Sequence, residues 1–284
     1  MFELILENEA GDRLEFTMNS PFTVTDIQGL NPPSATINTS QLALMDGGKF
    51  NSSKVNMRNL NIAFAIEYEA ARNRIEVFKV LKSKQSVTMY YKSEYRDVMI
   101  QGYITNIDIT YFDMKQIVTC AILCPSPFFR EAQKVVDELS VIVAGFHFPF
   151  ASTEEPELVF GYYNPEVSVT VDNDGDVETG LEIILTASDS VSDPTIYNYE
   201  TGEFIGLDID LSAGDQVTID TRPGKKTAYL VSGGTRTNVF NTVIQNSTWL
   251  QLPANGGTFV YEVGTGNAAD LKVTFKHTNM YEGV

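Results

Sequence analysis

The sequence is poor in the residue types that most often carry enzyme chemistry. It contains two histidines, two cysteines and one tryptophan among 284 residues. A Ser-His-Asp triad would have to use His147 or His277, and neither lies in a nucleophile elbow or a metal-binding helix motif. We therefore predict packing or surface roles for both histidines, in a protein that is not an enzyme.

Basic residues are also scarce. Twenty Lys and Arg stand against 37 Asp and Glu, which gives a formal net charge of −17. An acidic surface repels phosphate backbones and anionic lipids, so we expect no stable binding to nucleic acid. No apolar run approaches the length of a membrane span and no signal-peptide pattern opens the chain, so we expect no membrane insertion.

The two cysteines, Cys120 and Cys124, have neither the spacing of a redox pair nor that of a four-ligand zinc site. Residues four apart on one strand share a face but lie too far apart for a disulfide. We expect both to be reduced thiols on the core side of a strand, as in a protein that folds in a cytoplasm.

Carboxylates are numerous enough to suggest sites by chance. Asp172, Asp174 and Asp176 alternate as calcium ligands can. An EF-hand that begins at Asp172 needs Gly and Glu at its sixth and twelfth positions, which are Val177 and Ile183 here. A solvated hairpin turn is the stronger interpretation, with a weak calcium site as the alternative. A carboxylate pair for glycoside hydrolysis stays open, but we predict no metal, cofactor or catalytic residue.

Alternating apolar residues separated by turn residues dominate the first half of the sequence. Apolar runs at 4–7 and 14–17 flank a turn at 8–11, and the run at 22–30 ends before two prolines. Apolar residues also alternate through 60–66, as in a half-buried strand. The pattern predicts a β-sandwich-like N-terminal domain.

The spacing of apolar residues predicts one helix among these strands, at 68–83, and a second, short helix is expected at 131–139. Basic residues near the C-terminal end of the first helix suit the helix dipole. The residues that recur at helical spacing, and that we expect on its buried face, are Ala71, Ile75, Phe78 and Leu81 or Lys82.

From residue 158 onward, short runs rich in Val, Ile, Thr, Tyr and Phe are punctuated by Gly, Asn, Asp and Pro. This rhythm predicts a second β-sandwich, with hairpin turns at 173–175, 200–202 and 213–215. The chain therefore divides into an N-terminal domain at 1–130, a connector at 131–157 and a C-terminal sandwich at 158–284.

Two groups of aromatic residues are candidates for contacts with other molecules. Rings of the second domain that could stack on a sugar are Trp249, Tyr199 and Tyr229. Core packing or plain exposure is the competing interpretation for these three rings. Rings near the domain boundary, where a neighbouring subunit could cover an apolar stretch, are Phe128, Phe129, Phe146, Phe148 and Phe150.

The order of several short segments resembles the siphophage distal tail protein family. The segments are the opening hairpin, residues 27–33, residues 46–50 ahead of Arg58, the Cys-Pro-Ser-Pro-Phe-Phe run at 124–129, the pattern Val171, Asn173, Gly175, Asp176, the hairpin at 197–202, Gly214 with Asp215, Ile219-Asp220-Thr221, and the ending at 281–284. Each segment alone is short, and their order over nearly the whole chain carries the resemblance.

The resemblance implies a structural protein of the virion tail tip, made and assembled in the bacterial host cytoplasm. In this family the first domain forms a hexameric ring that joins the tail tube, built of the major tail protein, to the tail-associated lysin and to receptor-binding or baseplate proteins. The second domain is implied to be a galectin-like or carbohydrate-module-like sandwich. The family offers no catalytic or cofactor residue to carry over.

Two other functions stay open on the sequence alone. One is a carbohydrate-binding adhesion module that recognises host cell-wall glycans through exposed aromatic rings. The other is a glycan hydrolase that uses two of the many carboxylates. A closed cyclic oligomer would favour the ring protein over both.

Overall fold

The computed structural model describes residues 2–41, 46–113, 115–139, 141–144, 161–164 and 168–284. It is mainly β with one helix longer than a single turn in this part of the chain, which confirms the predicted fold class. The chain divides into two compact units: Met1–Gln133 with Met280–Val284 (unit 1), and Lys134–Asn279 (unit 2). Within the described ranges, no helix is long and apolar enough to cross a membrane.

Unit 1 is built on one strongly curved antiparallel sheet. Its elements, in chain order, are β1 (Glu3–Asn8), β2 (Arg13–Phe16), β3 (Phe22–Gln28), β4 (Ala35–Ser40), β5 (Lys49–Val55), β6 (Arg58–Ile66), α1 (Ala70–Val80), β7 (Ser86–Lys92), β8 (Asp97–Ile109), β9 (Gln116–Cys124) and β10 (Phe129–Glu131). The sheet runs β2-β1-β7-β8-β9-β6-β3, and β10 pairs with β8. The predicted hairpin at 4–17 is thus confirmed as β1 and β2.

The core of unit 1 follows from the alternation in the sequence. Leu60, Ile62 and Phe64 lie fully buried on β6, where alternate side chains of a strand face the core. Phe64 meets Phe16 and Phe22 edge to face, with ring centroids 4.9 and 5.7 Å apart. These rings bring the two ends of the curved sheet together.

Helix α1 exists, but its predicted buried face is correct only at Leu81, which follows the last helical residue and is 1% exposed. Ile75 and Phe78 are exposed, while Asn73, Val77 and Val80 are the buried residues. Both stripes recur at helical spacing, and the sequence pattern cannot decide which of two stripes faces the sheet. The helix therefore carries a second apolar stripe, with Ile75 66% and Phe78 40% exposed in the described structure.

The short helix predicted at 131–139 is also wrong. The chain is extended there, as the end of β10 and then β11 (Val135–Leu139). Strand β11 pairs with a strand near the end of the chain, β26 (Leu271–His277). This pairing over more than a hundred residues overrides a local helical preference.

Unit 2 is a β-sandwich of short strands. Between β11 and β26 the chain forms β12 (Val141–Ala144), β13 (Gly161–Asn164), β14 (Ser168–Val171), β15 (Thr179–Gly180), β16 (Glu182–Ala187), β17 (Val191–Ser192), β18 (Thr195–Asn198), β19 (Phe204–Gly206), β20 (Asp210–Leu211), β21 (Gln216–Asp220), β22 (Thr227–Ser232), β23 (Thr235–Asn238), β24 (Gln251–Leu252) and β25 (Gly257–Glu262), with 3₁₀ turns at Phe240–Thr242 and Ala268–Asp270.

Two sheets of unit 2 enclose its core. One runs β11-β26-β16-β21-β22-β23 and the other β14-β25-β18-β19. Phe259 of the second sheet stacks on Phe275 of the first with ring centroids 4.9 Å apart, and both are fully buried. The hairpin turn predicted at 200–202 is confirmed between the paired strands β18 and β19. The predicted hairpin turns at 213–215 and 173–175 are wrong, because β20 and β21, and likewise β14 and β15, pair with other strands rather than with each other.

The last residues of the chain return to unit 1. Strand β27 (Met280–Tyr281) pairs with β10 through Phe129 opposite Tyr281 and Arg130 opposite Met280. Unit 2 is therefore inserted into unit 1, and unit 1 is completed only by the chain's final segment.

Candidate assembly and ligand surfaces

The β4–β5 hairpin makes up a two-stranded sheet of its own. Every residue of β5 and most of β4 are exposed, and neither strand pairs with any other described strand. A two-stranded hairpin is marginally stable in water unless something packs against it. The hairpin is thus the part of unit 1 with the least support from its own chain.

The register gives the β4–β5 hairpin one apolar and one polar face. Ile37 pairs with Ser53 and Thr39 with Phe50, so Ile37 and Phe50 lie on the same face as Val55. These three side chains are 57%, 60% and 39% exposed. An apolar ribbon face left open in a single chain is a typical interaction surface.

The other face of the β4–β5 hairpin is polar and carries positive charge. Asn38 donates to the Ser52 hydroxyl at 2.9 Å, and Lys54 pairs with Thr36 on the same face. The paired strand residues contain no carboxylate, although the chain as a whole has a net charge of −17. The absence of carboxylates from β4 and β5 is visible in the sequence, but it does not by itself predict an interaction surface.

The exposed apolar stripe of α1, formed by Ile75 and Phe78 and called the outer stripe below, belongs to the helix that contacts the tip of the β8–β9 hairpin. Arg74 links them, because its guanidinium lies 5.0 Å from the centre of the Tyr111 ring and donates to Gln116 at 3.2 Å. Phe112 at that tip is fully exposed, and Ile75 is 66% exposed. This is a second apolar surface of unit 1.

The structure describes only two of the aromatic residues predicted as interface candidates near the domain boundary. Phe129 is fully buried in unit 1, and Phe128 is half-buried beside it. Phe146, Phe148 and Phe150 lie outside the described residues. Their contact with a neighbouring subunit stays a prediction.

Phe129 is buried because Arg58 covers it. The Arg58 guanidinium lies 4.4 Å from the ring centre and donates to the backbone carbonyls of Gly29, Asn31, Pro127 and Glu282. Burial lowers the pKa of Arg58 from its ordinary value, and its four carbonyl partners compensate for the lost hydration. Arg58 thus joins two loops and the last residues of the chain at one point.

Among the described residues, no ring contact joins the three sugar-stacking candidates, and their stacking on a sugar stays a prediction. Tyr199 is 73% exposed at the turn between β18 and β19. Tyr229 and Trp249 are half-buried and have different neighbours: Arg236 lies over the Tyr229 ring, while Phe240 and Lys226 lie against Trp249. Trp249 therefore offers a sugar less free ring surface than the sequence suggested.

The cysteines are placed as predicted. Cys120 and Cys124 are buried free thiols on β9. Burial raises the pKa of Cys120 to about 12 and that of Cys124 to about 11, although the Arg58 charge opposes part of the second shift. Neither is a nucleophile near neutral pH.

The acidic loop after β14 is a turn held by an amide. Asn173 donates to the carbonyls of Val177 and Pro253 at 3.1 and 2.9 Å, and its side-chain oxygen accepts from the Gly175 amide. Among the described residues, no group of three or more His, Cys, Asp or Glu could hold a metal ion. The solvated turn is the interpretation that this geometry fits.

Comparison with known proteins gives matches to phage tail components. A family model for the C-terminal domain of the siphovirus-type tail component matches residues 174–281. No curated protein matches the chain. The solved Dit protein of phage SPP1, described as a paradigm of the hub adsorption apparatus in phages that infect Gram-positive bacteria, aligns over 99% of each chain at 16% identity with a TM-score of 0.70.

Two structures of the phage p2 baseplate in its activated conformation, with Ca and with Sr, align over the full length of both chains. Their identities are 12% and 14% and their TM-scores 0.51 and 0.52. At such identities the likeness shows a shared fold, while the family model identifies most of unit 2 by sequence. Residues 174–281 therefore match the C-terminal domain of the siphovirus-type tail component, and the whole chain shares the fold of the solved Dit protein, in agreement with the resemblance to distal tail proteins.

Proposed function

We propose that this protein is a structural hub of a phage tail tip, and that unit 1 assembles into a hexameric ring. The ring would join the tail tube to the tail-associated lysin and to receptor-binding or baseplate proteins. The related SPP1 protein is a hub of an adsorption apparatus, and the p2 relatives are baseplate structures. The coarser role, a non-enzymatic component of the tail or baseplate, agrees with all three.

The observation that carries ring assembly is the uncovered β4–β5 hairpin. Each of its strands has an outer edge with unpaired backbone groups, and natural proteins rarely leave such edges open. Hairpins from neighbouring copies could pair on both sides, and a closed ring of them leaves no free edge. The apolar face with Ile37 and Phe50 would then pack against the bodies of the ring.

The outer stripe of α1 suits the same assembly. A ring needs a heterologous interface, in which two different surfaces of each copy meet. Unit 1 offers two uncovered apolar surfaces, the hairpin face and the α1 stripe with Ile75 and Phe78. One copy could therefore contact two neighbours through different surfaces.

The hairpin contribution can be tested by light scattering coupled to size exclusion. Ile37→Ser with Phe50→Ser removes the apolar face, and Thr36→Ser with Asn38→Ser changes the polar face of the same strand. We expect the first pair to reduce the oligomer mass and the second to retain it. Equal masses for both pairs would contradict assembly through the apolar face.

A further inference from the structure

Charge is distributed unevenly along unit 2. Residues 221–261 contain four basic residues and no carboxylate, in a chain with a net charge of −17. This stretch includes β22 and β23, the end of the six-stranded sheet. All four residues of β23 are exposed. This end of the sheet therefore carries basic residues and contributes no carboxylate of its own.

Two cations of this edge are held over aromatic rings. The Lys226 ammonium lies 5.6 Å from the centre of the Trp249 ring, which stacks on Phe240 at 5.4 Å. The Arg236 guanidinium lies 3.9 Å from the centre of the Tyr229 ring. A ring face orients a cation and removes part of its hydration without neutralising it.

Neither cation is neutralised by a carboxylate. Among the described residues, Lys226 and Arg236 form no ion pair, whereas nearby Arg222 pairs with Asp220 at 2.5 Å and lies 3.9 Å from Glu182. Arg222 has a structural partner, and the other two have charge available for an external anion. Carboxylate and phosphate groups are the anions that such side chains bind best.

The arrangement of the two cation and ring pairs suits an extended ligand. Arg236 lies on β23, where Asn238 pairs with Tyr229, and the Phe240 amide donates to the Asn238 side chain at 2.9 Å as the chain turns into a 3₁₀ turn. Phe240 is 47% exposed and offers a flat apolar surface beside Trp249. A polymer with several acidic groups could contact both pairs.

We infer that Lys226, Arg236, Tyr229, Phe240 and Trp249 form a binding site for an anionic glycan. Acidic groups of the polymer meet the ammonium and the guanidinium, and a sugar ring lies against the exposed face of Phe240. The aromatic faces favour a glycan over an acidic peptide, because a peptide would need only the charges and the strand edge. The site goes beyond the tail role and does not require the ring.

The chain provides its own reporter for this site, because Trp249 is its single tryptophan. We would titrate the full chain with partly depolymerised polygalacturonate, which carries carboxylates, and with a glycerol-phosphate polymer, which carries phosphates. Dextran serves as the neutral glycan and polyglutamate as the acidic peptide. We expect a saturable change in fluorescence with at least one anionic glycan and none with dextran, and the tighter glycan identifies the acidic group.

Three variants distinguish binding at this site from non-specific attraction to positive charge. Lys226→Gln with Arg236→Gln should weaken glycan binding at least tenfold, and Phe240→Ala should weaken it without affecting polyglutamate. Lys82→Gln with Lys84→Gln, which removes the same charge from unit 1, should leave the affinity unchanged. Circular dichroism melts check that each variant is folded.

The inference fails if neither anionic glycan changes the fluorescence of Trp249. It also fails if the Lys226 and Arg236 double variant binds as tightly as the unchanged chain. Polyglutamate binding as tight as glycan binding would assign this edge to an acidic protein partner instead.

Discussion

The Arg58 guanidinium covers the ring of Phe129, 4.4 Å from its centre, and also donates to the carbonyl of Glu282 near the end of the chain. One side chain therefore connects β6, β10 and the last residues of the sequence. Because unit 2 lies between β10 and those last residues, this contact closes unit 1 around the insertion.

Replacing Arg58 with Met should destabilise unit 1 by about 3 kcal/mol, because four backbone carbonyls lose a charged donor in a buried place. Arg58→Lys should recover little of this lost stability, since an ammonium group cannot reproduce the planar set of donors of a guanidinium group. Arg72→Met, which removes an exposed ion pair with Glu69, is the matched control and should cost under about 0.5 kcal/mol. Denaturant unfolding followed by circular dichroism measures all three.

Removing residues 280–284 should lower the stability of unit 1 and leave unit 2 nearly unchanged. The truncation deletes β27, the buried Tyr281 ring and the Glu282 carbonyl that Arg58 binds. Trp249 reports unit 2 alone, so its fluorescence transition should stay in place while the transition of unit 1 moves to lower denaturant. A chain that unfolds unchanged without these residues would refute their closing role.

Much of the fold was predictable, because alternation of apolar residues depends on local sequence. The β1–β2 hairpin, the buried strand β6 and the turn between β18 and β19 followed from that pattern. The return of residues 280–284 to unit 1 did not, since a partner 150 residues away leaves no local signal. The strand β11 was mistaken for a helix for the same reason.

The two stripes of α1 can be compared directly by truncating one residue of each. Val77→Ala should cost about 2 kcal/mol, because Val77 is fully buried and its loss leaves a cavity. Ile75→Ala should cost less than about 0.5 kcal/mol in the single chain, since its side chain is mostly exposed. Thermal or denaturant unfolding at low protein concentration, where no oligomer forms, gives both values. The reverse order would mean that the helix packs on its other face.

The buried thiols predict a loss of stability at high pH. The pKa of Cys120 is raised to about 12 and that of Cys124 to about 11, so the folded chain keeps protons that the unfolded chain releases above about pH 9. Stability from these groups is therefore complete below pH 9 and decreases as pH rises toward 11–12. Denaturant unfolding at pH 8 and pH 10, compared with a Cys120→Ala and Cys124→Ala variant, measures it. An equal pH slope in both proteins would contradict the assignment.

The same thiols should resist alkylation in the folded protein. Iodoacetamide at pH 8 should modify neither Cys120 nor Cys124 until denaturant is added, because both are buried and protonated. Mass spectrometry counts the modified thiols. Rapid modification of the folded chain would show that β9 opens or that the thiols are accessible.

The candidate surfaces were less predictable than the fold. The sequence identifies single aromatic residues such as Trp249 as candidates. It does not predict that Lys226 and Phe240, which lie in other segments of the chain, contact the Trp249 ring. The open face of the β4–β5 hairpin depends on what the rest of unit 1 leaves uncovered, which no local pattern contains. The stretch without carboxylates at 221–261 was a visible signal that a count of charge along the chain would have found.

The stoichiometry of the intact chain tests the central proposal most directly. Native mass spectrometry over a hundredfold range of concentration should give a dominant species of six copies of the 31.5 kDa chain, growing at the expense of the monomer. A monomer at every concentration, or an open series of oligomers without a dominant size, would contradict assembly into a closed ring.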